Sequence, residues 1–156
     1  MLRKIISDGQ TGADRAALDF AIEVGLEHGG FVPRGRRAED GKIPEQYQLI
    51  ELSTVSYAVR TKRNVREADG TVVFSLDPIL TGGSALTFEY AAEVKKPRIH
   101  IHKSATDAFF KEVSRLKDFM ESNRVAVLNV AGPRESNQPG VYAFALEMLR
   151  QYWENS

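Results

Sequence analysis

Ser7-Asp8-Gly9-Gln10-Thr11-Gly12-Ala13-Asp14 decides how this chain is read. The stretch follows the apolar pair Ile5-Ile6 and runs into Arg15-Ala16-Ala17-Leu18-Asp19-Phe20-Ala21-Ile22, whose apolar positions recur with helical spacing. A strand, a glycine turn and a helix start in succession present free backbone N–H groups at the positive end of a helix dipole. Gly9 and Gly12 allow a sharp turn and a close approach of backbone to ligand. The stretch reads as an anion cradle, and phosphate is the expected anion. It matches neither common nucleotide motif. A Walker A loop needs Lys and then Ser or Thr where this chain has Ala13-Asp14, and the dinucleotide fingerprint needs a third glycine.

Working outward, buried-strand patterns occur at Lys4–Ser7, Gly30–Pro33, Thr71–Phe74, Arg98–Ile101 and Val125–Val130. Helical patterns lie between and after them at Ala13–Glu27, Tyr57–Ala68, Ser84–Val94, Thr106–Ser122 and Val141–Trp153. Alternation of this kind predicts an α/β fold in three layers: a Rossmann-like, open, mostly parallel sheet with helices on both faces. The 156 residues fit a single domain spanning 1–156, with no internal repeat or linker. Ligands in such folds sit beyond the carboxyl ends of the strands. The chemically unusual loops, Ser7–Asp14, Pro33–Pro44, Leu76–Ser84 and Ala131–Tyr142, each follow a predicted strand.

Composition narrows the function classes. There are 21 basic and 21 acidic residues, so no net charge draws the chain to nucleic acid or to an anionic membrane. With no Cys, disulfides, thiolate metal sites and Cys nucleophiles are excluded. No apolar run approaches membrane-spanning length, and Met1-Leu2-Arg3-Lys4 leads into a strand without a signal-type segment, so cytoplasmic residence is expected. His100 and His102 share one face of a strand but have no third ligand nearby in sequence, and no metal site is expected. The apolar residues of the last helix, from Tyr142 to Trp153, are expected to pack in the core or between subunits, which suggests a homo-oligomer, a dimer or a tetramer.

Three further segments carry candidate ligand groups. Thr81-Gly82-Gly83-Ser84 repeats the logic of the first loop before a second helix. Arg34-Gly35-Arg36-Arg37 offers guanidinium groups suited to phosphate, with Glu39 and Asp40 as competing partners. Arg134 follows the turn Gly132-Pro133 and could close over a ligand. Arg60-Thr61 and Asn64 fall on one helical face, a turn beyond Tyr57.

In order along nearly the whole chain, these stretches resemble the putative molybdenum carrier family. The resemblance runs through Ser7–Asp19, Gly29–Gly41, Tyr57, Arg60-Thr61, Asn64-Val65, Asp69-Gly70-Thr71, Gly82-Gly83 and Asn129–Ser136. It implies a Rossmann-like domain related to the LOG (lysine-decarboxylase-like) proteins, which bind nucleotide-type ligands. On that basis the chain is expected to bind a phosphorylated small molecule, either molybdenum cofactor as cargo or a nucleotide derivative. Ser7, Gly9, Gln10, Thr11, Gly12 and Asp14 would form one loop and Gly82, Gly83 and Ser84 the opposing one, with Arg34, Arg36, Arg37 and Arg134 as further anion contacts. The family pattern usually has Gly where this chain has Asp8, which suggests that Asp8 meets a hydroxyl or a pterin amine, or that the anion is displaced.

The wider resemblance to LOG-type nucleotide phosphoribohydrolases supplies an enzymatic alternative, hydrolysis of a nucleoside 5'-monophosphate. Those enzymes pair an Arg with the Glu of P-G-G-x-G-T-x-x-E, which would be Arg60 and Glu89 here. Thr81 stands for the Pro, Ala85 for the third Gly, and Thr87 falls one position late, so a binding role is favoured over catalysis. A domain whose glycines serve only turns, without a ligand, is the remaining alternative.

Overall fold

The computed structural model of the chain describes residues 1–103 and 108–156. In chain order its strands are Lys4–Ser7 (β1), Glu27–Gly29 (β2), Phe31–Val32 (β3), Arg37–Ala38 (β4), Gly41–Lys42 (β5), Ile50–Glu51 (β6), Gly70–Ser75 (β7), Arg98–His102 (β8) and Val127–Ala131 (β9). The helices are Ala13–Val24 (α1), Tyr57–Glu67 (α2), Gly82–Glu93 (α3), Phe109–Ser122 (α4) and Val141–Glu154 (α5). A five-stranded sheet in the order β2-β1-β9-β7-β8 is parallel throughout. Helices α1, α4 and α5 cover one face, and α2 and α3 the other. This is the three-layer Rossmann-like α/β fold that the alternating pattern predicts. No described helix is long and apolar enough to cross a membrane.

Central strands are buried on both faces. Every residue of β7, Gly-Thr-Val-Val-Phe-Ser, is buried, which is why it reads as an unbroken run. Phe20 of α1, Phe74 of β7, Leu128 of β9 and Met148 and Leu149 of α5 join one continuous core. Along α5 the apolar positions fall at helical spacing. Phe144, Ala145, Met148, Leu149 and Tyr152 are buried, with Tyr142 and Trp153 packed against them.

The second strand lies elsewhere than the apolar pattern predicts. α1 stops at Val24 instead of reaching Glu27, because Gly25 turns left-handed (φ 75°) and Leu26 N–H donates back to the Ala21 carbonyl at 2.9 Å. The edge strand is therefore Glu27-His28-Gly29, too polar to stand out, as an edge strand can be. Gly30 then leaves the sheet at φ 135°, so close to β1 that a Cβ there would lie 2.0 Å from the Ser7 carbonyl oxygen. The predicted strand Gly30–Pro33 survives only as β3, paired with β6 outside the main sheet. At α4, the predicted start Thr106 lies outside the described residues. At α3 the helix begins two residues earlier than expected, at Gly82.

Residues 31–52 form a cap over the N-terminal half of α1, with its own small core of Leu18, Val32, Ile43 and Tyr47. Asp19 on α1 joins that cap to α5. Its carboxylate accepts the Tyr47 hydroxyl at 2.5 Å and the Tyr142 hydroxyl at 2.6 Å. Burial and this carboxylate together push the Tyr47 phenol up to about 12. Asp19→Ala removes both acceptors, and the expected loss of stability is about 2 kcal/mol, in the range for hydrogen bonds to a charged group. Denaturant unfolding checks this, and a shift in the onset of tyrosine ionisation to lower pH is the accompanying spectroscopic sign.

Candidate functional site

The carboxyl ends of β1, β9 and β7 lie side by side, and the connections that leave β1 and β7 go to opposite faces of the sheet. A crevice opens where the connections diverge in this way. Here it is a cleft of about 540 Å³, lined by the loop after β1, the first turn of α3, the start of α2 and the loop between β9 and α5.

One wall is the helix start that opens the sequence. Gly12 is the N-cap of α1, and no side chain caps that end. Asp14 in the first turn lines the cleft while being only 4% exposed, and its Oδ1 has no hydrogen-bond partner. Burial pushes the Asp14 carboxyl well above the usual carboxylate range, the neighbouring Asp8 carboxylate raises it further, and Arg60, the Gln10 backbone and Arg15 pull in the other direction. The opposite wall is α3. Thr81 at its N-cap makes no side-chain cap either, and Gly82, Gly83 and Ser84 line the cleft with their first-turn backbone. A Cβ on Gly82 or Gly83 would meet nothing within 4 Å, so both face open space.

The other two helices that border this region are capped from within. Ser56 accepts the Val59 N–H at the start of α2. The Glu135 carboxylate takes the Gly140 N–H at 2.6 Å and the Tyr142 N–H at 3.0 Å at the start of α5. Against these, α1 and α3 present uncapped N-termini to the cleft.

Asp8 has protein partners where the sequence left it facing a ligand. Its carboxylate accepts the Thr61 hydroxyl at 3.1 Å and the Asn64 side-chain amide, and Arg60 Nε lies 3.3 Å from it. That last approach is an ionic contact, bent away from hydrogen-bond geometry, so Arg60 Nε counts no hydrogen bond. The Arg60 guanidinium also lies over the Tyr57 ring at 4.5 Å. Asp8 therefore still borders the cleft, but with its charge compensated by α2.

The remaining members of the first loop are used structurally. Ser7 Oγ donates to the Asp14 carbonyl at 3.0 Å and accepts the Gly9 N–H at 3.2 Å. Gly9 backs onto Ile43 and Leu49 of the cap, and a Cβ there would lie 2.9 Å from Leu49. Thr11 donates to the Glu39 carboxylate and accepts the Glu135 N–H at 3.2 Å. Gln10 lines the cleft, with its side-chain oxygen accepting the Glu39 N–H at 2.8 Å. Ser7, Gly9, Thr11 and Gly12 do not line it.

Of the arginines, Arg134 lines the cleft from its exposed rim. Arg34, Arg36 and Arg37 do not reach it. Arg36 is buried, and its guanidinium donates to the carbonyls of Ile43, Pro44 and Tyr47, fastening the cap. Arg34 and Arg37 are exposed on the cap surface. Arg60 borders the cleft, whereas Glu89 is exposed on α3 and does not, so the structure does not bring these two together. His100 on β8 is held by Ser75 at 2.6 Å, and its ring lies 5.5 Å from that of His102.

Thr87 on α3 also lines the cleft, as do Asp77, Asn137 and Gln138, and none of the four is among the expected ligand contacts. Asp77 belongs to the loop Leu76–Ser84, and Asn137 and Gln138 to the loop Ala131–Tyr142, two loops that stand out as wholes. Gln138 joins the two, accepting the Leu76 N–H at 2.6 Å and reaching Asp77 at 3.4 Å.

The model of the circularly permutated YpsA SLOG family matches residues 5–153. The chain belongs to this family. It is also similar to a crystal structure at 1.45 Å resolution, that of a putative molybdenum carrier protein from Syntrophus aciditrophicus SB. The two share 45% identity over 97% of this chain and 94% of that one, with a TM-score of 0.92. No curated protein matches the chain. The molybdenum carrier resemblance read from the loops, with its LOG relationship, is thereby shown for the family and the fold.

Two outcomes test this geometry. A Cβ on Gly12 would lie 2.4 Å from the Pro133 carbonyl oxygen, and Gly12 sits at φ 82°, so Gly12→Ala must displace the β9–α5 loop. The expected cost in denaturant unfolding is about 2–3 kcal/mol. Hydrogen bonds from Ser136 and Thr11 hold the Glu39 carboxyl below its ordinary range. Such a group favours the native state at pH above its unfolded value, and the contribution is lost as pH falls through its folded value. Glu39→Gln is therefore expected to lower the melting temperature at pH 7, with the difference from wild type closing in acid.

Proposed function

We propose that this SLOG-family protein binds a phosphorylated small molecule non-covalently in the cleft at the carboxyl ends of β1, β9 and β7. The ligand class is a molybdopterin-type cofactor carried as cargo or a nucleotide derivative. The observation that carries this reading is that the uncapped first turns of both α1 and α3 contribute to one cleft, through Asp14 and through Gly82, Gly83 and Ser84. Their free N–H groups suit phosphate oxygens. Arg134 adds a positive charge at the rim, and the open faces of Gly82 and Gly83 leave room for a ligand to lie against the backbone. The name of the similar crystal structure agrees with a molybdenum cofactor as one candidate cargo. No group of three or more His, Cys, Asp or Glu side chains is placed to hold a metal ion among the described residues, so the protein's own contacts would fall on the organic phosphate end of such a cargo.

Glycosidic hydrolysis of a nucleotide receives no comparable support, because Glu89 is exposed on α3 and does not line the cleft that Arg60 borders. Binding is the reading that the placement of groups favours.

Gly83 separates binding from folding. Its φ is ordinary and its missing Cβ faces empty space, so Gly83→Leu is expected to keep the melting temperature within a few degrees while filling the cleft. Denaturing the purified protein and analysing what is released, by mass spectrometry and pterin fluorescence, is expected to give a phosphorylated compound from wild type. The variant is expected to release at least tenfold less. Equal release from the two proteins would place the ligand outside this cleft.

A further inference from the structure

We propose that Asp14 couples anion binding in the cleft to the uptake of one proton, so that the protein takes its ligand more tightly as pH falls. This rests on the reading that the cleft holds an anionic ligand, and it adds which residue sets the charge state that the ligand must meet.

Asp14 is fixed by its position in the first turn of α1 and by the Ser7 hydroxyl, which donates to its backbone carbonyl at 3.0 Å. Its side chain is buried at the cleft wall with Oδ1 free of any hydrogen bond. A buried polar atom without a partner is uncommon and costly. Among the described residues its setting offers no cation that is free to neutralise it at close range. From the β1–α1 loop it faces Asp8, a like charge. From α2 it faces Arg60, already in ionic contact with Asp8. Arg15, on α1 itself, donates to the Gly9 carbonyl and to Asp40. Across the cleft, α3 lines it with no charged side chain and with Ser84 and Thr87 as its polar ones, the β7–α3 loop adds another carboxylate in Asp77, and the β9–α5 loop carries Arg134 at the exposed rim.

An anion drawn to the N-termini of α1 and α3 must come close to this carboxyl. As a carboxylate, Asp14 would repel it in a poorly solvated place; protonated, it is neutral and can donate its O–H. Protonation and anion binding therefore favour each other, and each raises the affinity for the other by the same factor. The proton comes from solvent and resides on the Asp14 carboxyl, with no other bond made or broken. Burial already raises the proton affinity of Asp14 in the free protein. The sign follows. Affinity is highest where Asp14 is already protonated, falls up to tenfold per pH unit while one proton is taken up on binding, and levels off where even the complex is unprotonated.

Sulfate is a suitable probe because its charge is constant from pH 5.5 to 8.5. Titrated into the ¹⁵N-labelled full chain, it is expected to shift the amide signals of Gly82, Gly83 and Ser84, with a Kd at least tenfold weaker at the upper pH. Asp14→Asn keeps the size and polarity of the side chain and is expected to flatten that dependence. None of the three histidines lines the cleft, so the variant isolates Asp14. Calorimetry of the wild type in buffers of different protonation enthalpy gives the proton count directly and does not depend on the variant folding. A pH-independent Kd, zero proton uptake at every pH, or an unchanged slope in Asp14→Asn overturns the coupling while leaving the anion site intact. Failure of sulfate to shift Gly82, Gly83 or Ser84 at any pH overturns the anion site itself, and the coupling with it.

Discussion

The contact between Asp8 at the end of β1 and the buried face of α2 organises the site. A carboxylate removed from water must be met by cations or donors, or it costs several kcal/mol. Here α2 supplies Thr61, Asn64 and Arg60 from successive positions on one face. Asn64 is fully buried and works in two directions, accepting the Phe31 N–H at 2.8 Å and donating to the Phe31 carbonyl at 3.1 Å. One polar knot thus joins β1, β3 and α2. It sets where α2 stands and, through it, one side of the cleft.

The protein also furnishes some of its own anions. Glu39 from the cap meets Thr11 and Ser136, and Glu135 caps α5. These internal carboxylates satisfy donors outside the cleft and tie the first loop to both the cap and the β9–α5 loop. The cleft itself holds the uncapped first turns of α1 and α3 and the free oxygen of Asp14, with Arg134 at its rim. Gly9 and Gly12 of the opening loop are thus needed for packing, although they stand beside the cleft.

Some elements were plain in the sequence because local physics fixes them. β7 is apolar on both faces and α5 is amphipathic at the right period. The edge strand Glu27–Gly29 was hidden because an edge need not be apolar, and Gly30 diverted the apolar run that follows it out of the main sheet. The arginines of the cap illustrate a different limit. Arg34, Arg36 and Arg37 are alike as residue types, yet Arg36 is buried under three carbonyls and the other two are in solvent. Nothing in the local sequence separates a structural guanidinium from a ligand-binding one, since the difference lies in which carbonyls the fold brings near.

Ser7–Asp14 shows where the two sources of information divide. Alternating strand and helix patterns, with glycine turns after the strands, determined the layered parallel sheet and the end of it where a ligand would sit, because those features follow from backbone hydrogen bonding and periodic burial. Which members of the loop face the cleft was decided only by tertiary structure. Gly12 is spent on the Pro133 carbonyl and Thr11 on Glu39, while Asp8 is compensated by a helix some fifty residues away and Asp14 is left facing the cleft. A side chain's charge and type are local properties. Its exposure, its partners and hence its proton affinity depend on what the rest of the chain packs around it.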